Sequence, residues 1–100
     1  MTALAIFEVS LIENPSSDEI GNYELYRSLV PGLINKYRGK YLIRGGSAQS
    51  LEGNPPASRW HVIEFEDVDA VNAFWNSDEY QKIIGLRAGV VEVRAVSVSG

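Results

Sequence analysis

One hundred residues suit a single domain spanning 1–100, with one core that buries roughly two-thirds of the unfolded surface. The chain has no cysteine, which excludes disulfides, thiolate metal sites, iron–sulfur clusters and a cysteine nucleophile. Nine basic residues against thirteen acidic ones give a net charge of −4. A protein that lives by phosphate contacts would be basic, so nucleic acid is not an expected partner.

The N-terminal residues lack a basic leader segment, and Glu8 interrupts the opening apolar run. No stretch approaches the ~20 apolar residues of a membrane span. A membrane is therefore not an expected partner either, and the cytoplasm is the expected location.

Residues 3–12 alternate, with Ala5, Phe7, Val9 and Leu11 on one face and Leu4, Ile6, Glu8 and Ser10 on the other. This predicts a strand, ended by Asn14-Pro15. Ser16 to Glu19 reads as a capping box. Ile20, Tyr23, Tyr26, Val30, Leu33, Ile34 and Tyr37 then recur at helical spacing, predicting a helix over about 17–38. Pro31 should kink it near Arg27, and Gly39 should stop it. Residues 40–44 form a second strand. Gly45-Gly46 predicts a bulge, with positive φ at Gly46 and the strand continuing over 47–51. Residues 52–56 read as a loop, and 59–65 as a third strand with Arg59, His61, Ile63 and Phe65 on its helix-facing side. Asp67 caps a short helix, Ser77 opens another running to about Arg87, and 90–98 form the last strand.

The resulting order, β-α-β-β-α-β, is the ferredoxin-like α+β arrangement, a four-stranded antiparallel sheet with its helices on one face. The opposite face would carry Leu4, Ile6, Trp60, Val62 and valines of the last strand. That patch is larger than a monomer usually exposes, so a second copy is expected to cover it.

Several segments resemble the DUF1330 family, whose members have no assigned function. They are Tyr-Arg-Gly-Lys-Tyr-Leu-Ile-Arg-Gly-Gly (37–46), Leu-Glu-Gly (51–53), Arg59 with Val-Ile-Glu-Phe (62–65), and Ala-Phe-Trp-Asn-Ser-Asp-Glu-Tyr-Gln (73–81) with Leu86-Arg87. Trp60 and His61 stand where that family usually carries small aliphatics, and Arg38 where a glycine is common. The resemblance implies a dimeric α+β barrel of ferredoxin-like fold, and no established activity. The wider fold group includes cofactor-free monooxygenases, isomerases, dehydratases and ligand binders, but fold alone does not assign function.

Arg87 falls on the apolar stripe of its helix, seven residues after Tyr80. It reads as a clamp for a carboxylate or enolate, or as a structural partner of Glu64, Glu79 or a backbone carbonyl. Tyr23 and Tyr26, on the inward stripe of the first helix, read as ligand donors or as core, and Tyr80 likewise. Arg59 reads as a second cation at a pocket mouth or as a rim residue paired with a surface carboxylate. His61, the only histidine, reads as a general base or as an edge residue with one hydrogen bond. Glu8 and Glu64, adjacent if the first and third strands pair, read as a proton-sharing couple or as partners of Arg44 and Arg94. One histidine and no nucleotide fingerprint lead to an expectation of no metal and no cofactor.

Tyr23, Arg59 and Arg87 are therefore the first ligand-binding candidates, with Tyr26, His61 and Tyr80 behind them. Three functions fit: a homodimeric binder of a small organic acid, a cofactor-independent enzyme acting on an enolisable or aromatic acid, and a structural dimer without a ligand.

Overall fold

The alternating opening segment forms strand β1, Ala3–Leu11. The capping box is realised in full. The Glu19 amide donates to Ser16 Oγ at 3.1 Å, and the Ser16 amide donates to Glu19 Oε1 at 2.8 Å. Helix α1, Ser17–Lys36, follows and runs unbroken through Pro31. After it come β2 (Lys40–Gly46), β3 (Arg59–Phe65), α2 (Val68–Trp75), α3 (Asp78–Ile83), a 3-10 turn (Ile84–Arg87) and β4 (Val91–Ser99). The computed structural model describes residues 1–54 and 56–100. The loop expected over 52–56 includes Pro55, which lies outside the described residues.

The sheet is antiparallel in the order β2-β3-β1-β4. Ala5 opposes Ile63, and Phe7 opposes His61 on β3 and Ala95 on β4. The helix-side face therefore supplies Ala3, Ala5, Phe7, Val9, Ile63 and Phe65 to the core. Ile34, Val71, Phe74 and Tyr80 pack onto it from the helices. This is the ferredoxin-like α+β architecture that the element order predicts. No helix among the described residues is long and apolar enough to cross a membrane.

Several local expectations need correction. Leu11 does not join the buried row; it is 61% exposed at the end of β1. The bulge exists, as register shifts along β2 show. The positive φ, however, belongs to Gly45 (+73°) and not to Gly46. Gly46 is constrained by crowding instead, since a Cβ there would lie 2.6 Å from Ile43 Cγ2. β2 ends at Gly46, and residues 47–50 form no strand. The last helix tightens into its 3-10 turn from Ile84 instead of continuing as α-helix to Arg87. Glu8 and Glu64 are not neighbours, although β1 and β3 pair. The register puts Glu8 opposite Trp60 and Glu64 opposite Leu4, roughly 13 Å apart along the strands.

The end of α1 also differs from expectation. The amide of Arg38 donates to Asn35 O at 3.0 Å and that of Gly39 to Ile34 O at 2.8 Å, the paired bonds of a Schellman motif. The left-handed position is Arg38 (φ 64°), not Gly39. Gly39 serves close packing, because a Cβ there would sit 2.7 Å from Ile34 Cγ2 and 2.9 Å from the Phe65 ring. Arg38 holds a strained conformation and offers only an exposed 3.9 Å ion pair with Glu66 in return. Arg38→Gly is expected to stabilise the fold by about 1 kcal/mol, read as a rise in melting temperature. A fall would contradict the assignment of strain.

Candidate functional site

Between α1 and the helix-side face of the sheet lies a cavity of about 330 Å³. Its floor is apolar, made by Phe7 and Val9 of β1, Ile63 of β3, and Val91 and Val93 of β4. The six sequence candidates (Tyr23, Tyr26, Arg59, His61, Tyr80 and Arg87) all line it. So do Arg27, Tyr41 and Arg44, which sequence reasoning missed as site residues. One signal was available, for Arg27, which stands four residues after Tyr23 on the same helix face; Arg44 reaches this side only through the register shift that pairs it with His61.

One end of the cavity is built by α1, α3 and the 3-10 turn. The Ser77 cap starts α3, its Oγ accepting from the Tyr80 amide at 3.1 Å. Tyr80 is thereby set wholly inside, its ring 4.6 Å from Phe74 and 5.3 Å from Trp75 between centroids. Its hydroxyl lies 2.8 Å from that of Tyr26. Arg87 Nη1 donates to both phenol oxygens, at 3.2 Å to Tyr26 and 3.3 Å to Tyr80, and the guanidinium sits 5.7 Å from the Tyr26 ring centroid. The carboxylate partners weighed for Arg87 are thus replaced by two phenols. Glu79 instead holds Lys36 at 2.7 Å.

The hydroxyl protons can be assigned. A buried donor needs an acceptor, and the Tyr80 oxygen meets only Tyr26 and Arg87. Arg87 accepts nothing, so the Tyr80 proton goes to Tyr26. The Tyr26 proton is left over, on a half-buried residue that lines the cavity. Burial, foremost, pushes the Tyr80 phenol far above its ordinary pKa, with Tyr26 adding to the effect and Arg87 opposing it. Tyr80 stays protonated at any physiological pH.

The other end is built by β2 and β3. The bulge turns the Gly45 amide onto His61 Nδ1 at 3.0 Å, so a neutral imidazole carries its proton on Nε2. The place a Cβ would take at Gly45 lies 3.2 Å from Arg59 Nη2 and 3.9 Å from His61 Cε1, which puts the guanidinium and the imidazole side by side. Arg44 lies 5.1 Å from the Tyr41 ring centroid, and that ring meets His61 edge-on at 6.2 Å. Burial, then Arg59, Arg44 and Arg27, hold the His61 pKa below the ordinary value of 6.5.

That depression has a definite sign. The folded site favours neutral His61, so its contribution to stability is complete above 6.5. The contribution is lost as pH falls from there through the lower folded value and is constant below it. The melting temperature of wild type minus that of His61→Gln should therefore rise with pH up to the ordinary value and be flat above. A difference that grows as acid is added would contradict the arrangement.

The lining contains four arginines and no aspartate or glutamate. Among the described residues the ion pairs are Lys36–Glu79, Arg38–Glu66 and Arg94–Glu8, and none uses an arginine of the cavity. No three metal-ligating side chains converge among the described residues. The site is thus an apolar-floored cleft with cationic side chains and no anionic one, in a chain of net charge −4.

Fold and cleft together define a ferredoxin-like α+β protein with a cationic helix–sheet cavity. The chain belongs to the family described as Domain of unknown function (DUF1330), which matches residues 3–100. No curated protein matches it in sequence. Among solved structures it is similar to RPA0582, a protein of unknown function from Rhodopseudomonas palustris (TM-score 0.74, 15% identity, 97% of this chain and 80% of that one). It is also similar to a dimeric ferredoxin-like protein of unknown function from a Jannaschia species (0.68, 10%, 100% of both chains). A third is SnoaB, a cofactor-independent oxygenase from Streptomyces nogalater (0.62, 9%, 99% of this chain and 92% of that one). Likeness at these identities concerns the fold alone.

Proposed function

We propose that this protein is a homodimer that binds a small organic acid in the cavity between α1 and the sheet. The observation that carries the reading is the lining itself: four arginines without a carboxylate among them, over an apolar floor. Two of them, Arg59 and Arg87, are half-buried without a carboxylate partner, which favours an anion that supplies the counter-charge. Arg87, oriented by two phenols, is the primary clamp, and the free Tyr26 proton adds a neutral donor beside it. Tyr23 and Arg59 complete the ligand contacts. A cavity of about 330 Å³ is within the range used for small molecules, and its being open speaks against a purely structural dimer.

The second copy is proposed to cover the helix-free sheet face, where Ile6 opposes both Val62 and Val96, and Leu4 opposes Val98. Several fold neighbours are dimeric proteins.

The test is a titration with small aromatic and dicarboxylic acids, followed by NMR shifts and melting temperature, for wild type and Arg87→Met. The variant should lose about 1.5–3 kcal/mol of affinity. Equal binding by the two proteins, or none by either, would overturn the reading. A cofactor-independent enzyme is the second reading, favoured by the arginine-rich, carboxylate-free lining, which suits an enolate as well as a carboxylate. Turnover of a bound acid would separate enzyme from binder.

A further inference from the structure

We propose that the cavity is two-ended and takes a diacid, a molecule with an anionic group at each end of an apolar body. This rests on the cavity being an anion site at all, and adds what kind of anion it selects. Besides Tyr23 and Arg27 on α1 and Tyr41 on β2, the lining donors form two groups on different elements. Arg87 and the Tyr26 hydroxyl form one, tied together by the bonds that Arg87 Nη1 donates to Tyr26 and Tyr80. Arg59, the Nε2–H of His61 and Arg44 form the other, gathered around the Gly45 bulge.

Arg87 enters just before β4, while Arg59 and Arg44 come from β3 and β2. In the strand order β2-β3-β1-β4, two or three strand spacings separate these elements, ~10–14 Å at the backbone. Long arginine side chains reach inward from both sides and shorten that gap. Between them lie Phe7 and Val9 of β1, with Val93 beside them. These side chains offer a middle segment of ligand nothing but apolar contact. A monoacid would satisfy one group and leave the other cationic and half-buried without a counter-charge, which is unfavourable. A diacid of matching length neutralises both.

The experiment is calorimetric titration with succinate, adipate and suberate, and with butyrate, hexanoate and octanoate as length-matched monoacids. Wild type, Arg87→Met and Arg59→Met are compared. Where Arg59→Met fails to fold, Arg44→Met, at a more exposed position, takes its place. At least one diacid should bind wild type about tenfold or more tightly than its matched monoacid. Either substitution should remove most of that advantage, so that mono- and diacid bind the variants alike. A monoacid that binds as well as its diacid, with both still dependent on Arg87, would overturn the two-ended site and leave the anion site standing. So would a diacid advantage that survives loss of the β2–β3 arginine. Failure of every acid to bind would overturn the anion site itself, and this proposal with it.

Discussion

Truncation of Tyr80 to alanine is expected to cost about 3–5 kcal/mol of folding stability. The residue is fully buried, its ring packed against Phe74, Trp75 and Tyr26. Truncation leaves a cavity whose walls belong to different elements, Phe74 and Trp75 on α2 and Tyr26 on α1, and cannot all collapse into it. It also takes one of two acceptors from Arg87 and one of the two bonded side-chain partners of the Tyr26 hydroxyl, which keeps Arg87. Tyr80→Phe separates the two effects. It keeps the ring and loses the hydroxyl, so it should cost only about 1 kcal/mol, while loosening Arg87 and weakening anion binding. Urea unfolding at one fixed protein concentration reads both variants, because any association would make stability concentration-dependent. A loss below about 1 kcal/mol for the alanine variant would mean that the ring is not the packing centre described.

Much of the fold was legible because it rests on local rules. The β1 alternation, the Ser16–Glu19 capping box, and the Asp67 and Ser77 caps each place an element end to within a residue or two. The misses came where tertiary packing decided. Gly39 looks like the residue for a left-handed helix end, but Ile34 and Phe65 press on its missing Cβ, so the turn falls one residue earlier, on Arg38. Within Gly45-Gly46, either glycine satisfies a bulge. Only the pairing with β3, and the Gly45 amide aimed at His61, settles which of them has positive φ.

The site was legible in its residues and not in its partnerships. Helical spacing brought Tyr23, Tyr26, Tyr80 and Arg87 onto inward stripes, and strand alternation brought Arg59 and His61 to the helix side. All six line one cavity. Nothing in the spacing said that Arg87 would meet phenols 61 and 7 residues away in sequence rather than a carboxylate. Arg44 was misjudged for a related reason. Read by simple alternation from Tyr41, it falls on the helix-free side with the partners of Glu8 and Glu64. The register shift between Tyr41 and Ile43 returns it to the face of His61, so Glu8 is left to Arg94 at 3.7 Å. For His61, no local signal announced the bulge amide that fixes its proton on Nε2.

The second large effect is expected on the bare face of the sheet. The chain exposes 6530 Å², against ~5600 Å² for a compact monomer of its 11.0 kDa mass, and measures only 17 Å along its shortest axis. The excess matches a sheet whose helices, among the described residues, all lie on one side. Val96 and Val98 are each half exposed there, flanking Ile6 and Leu4 in register. Covered by a second copy about a two-fold axis, this face should bury more than the ~1,200 Å² of a specific interface. Val62→Glu places a carboxylate at the centre of that contact, directly opposite Ile6, and the symmetry brings two such charges into one apolar layer. Burying them unpaired costs several kcal/mol, enough to weaken association more than about a hundredfold. Leu25→Glu, on the exposed side of α1, adds the same charge away from the face and should leave association intact. Sedimentation at micromolar concentration should show wild type and Leu25→Glu as dimers and Val62→Glu as a monomer or as unfolded chain. A wild-type monomer, or a dimer that tolerates Val62→Glu, would place the contact elsewhere and leave the apolar face without its expected cover.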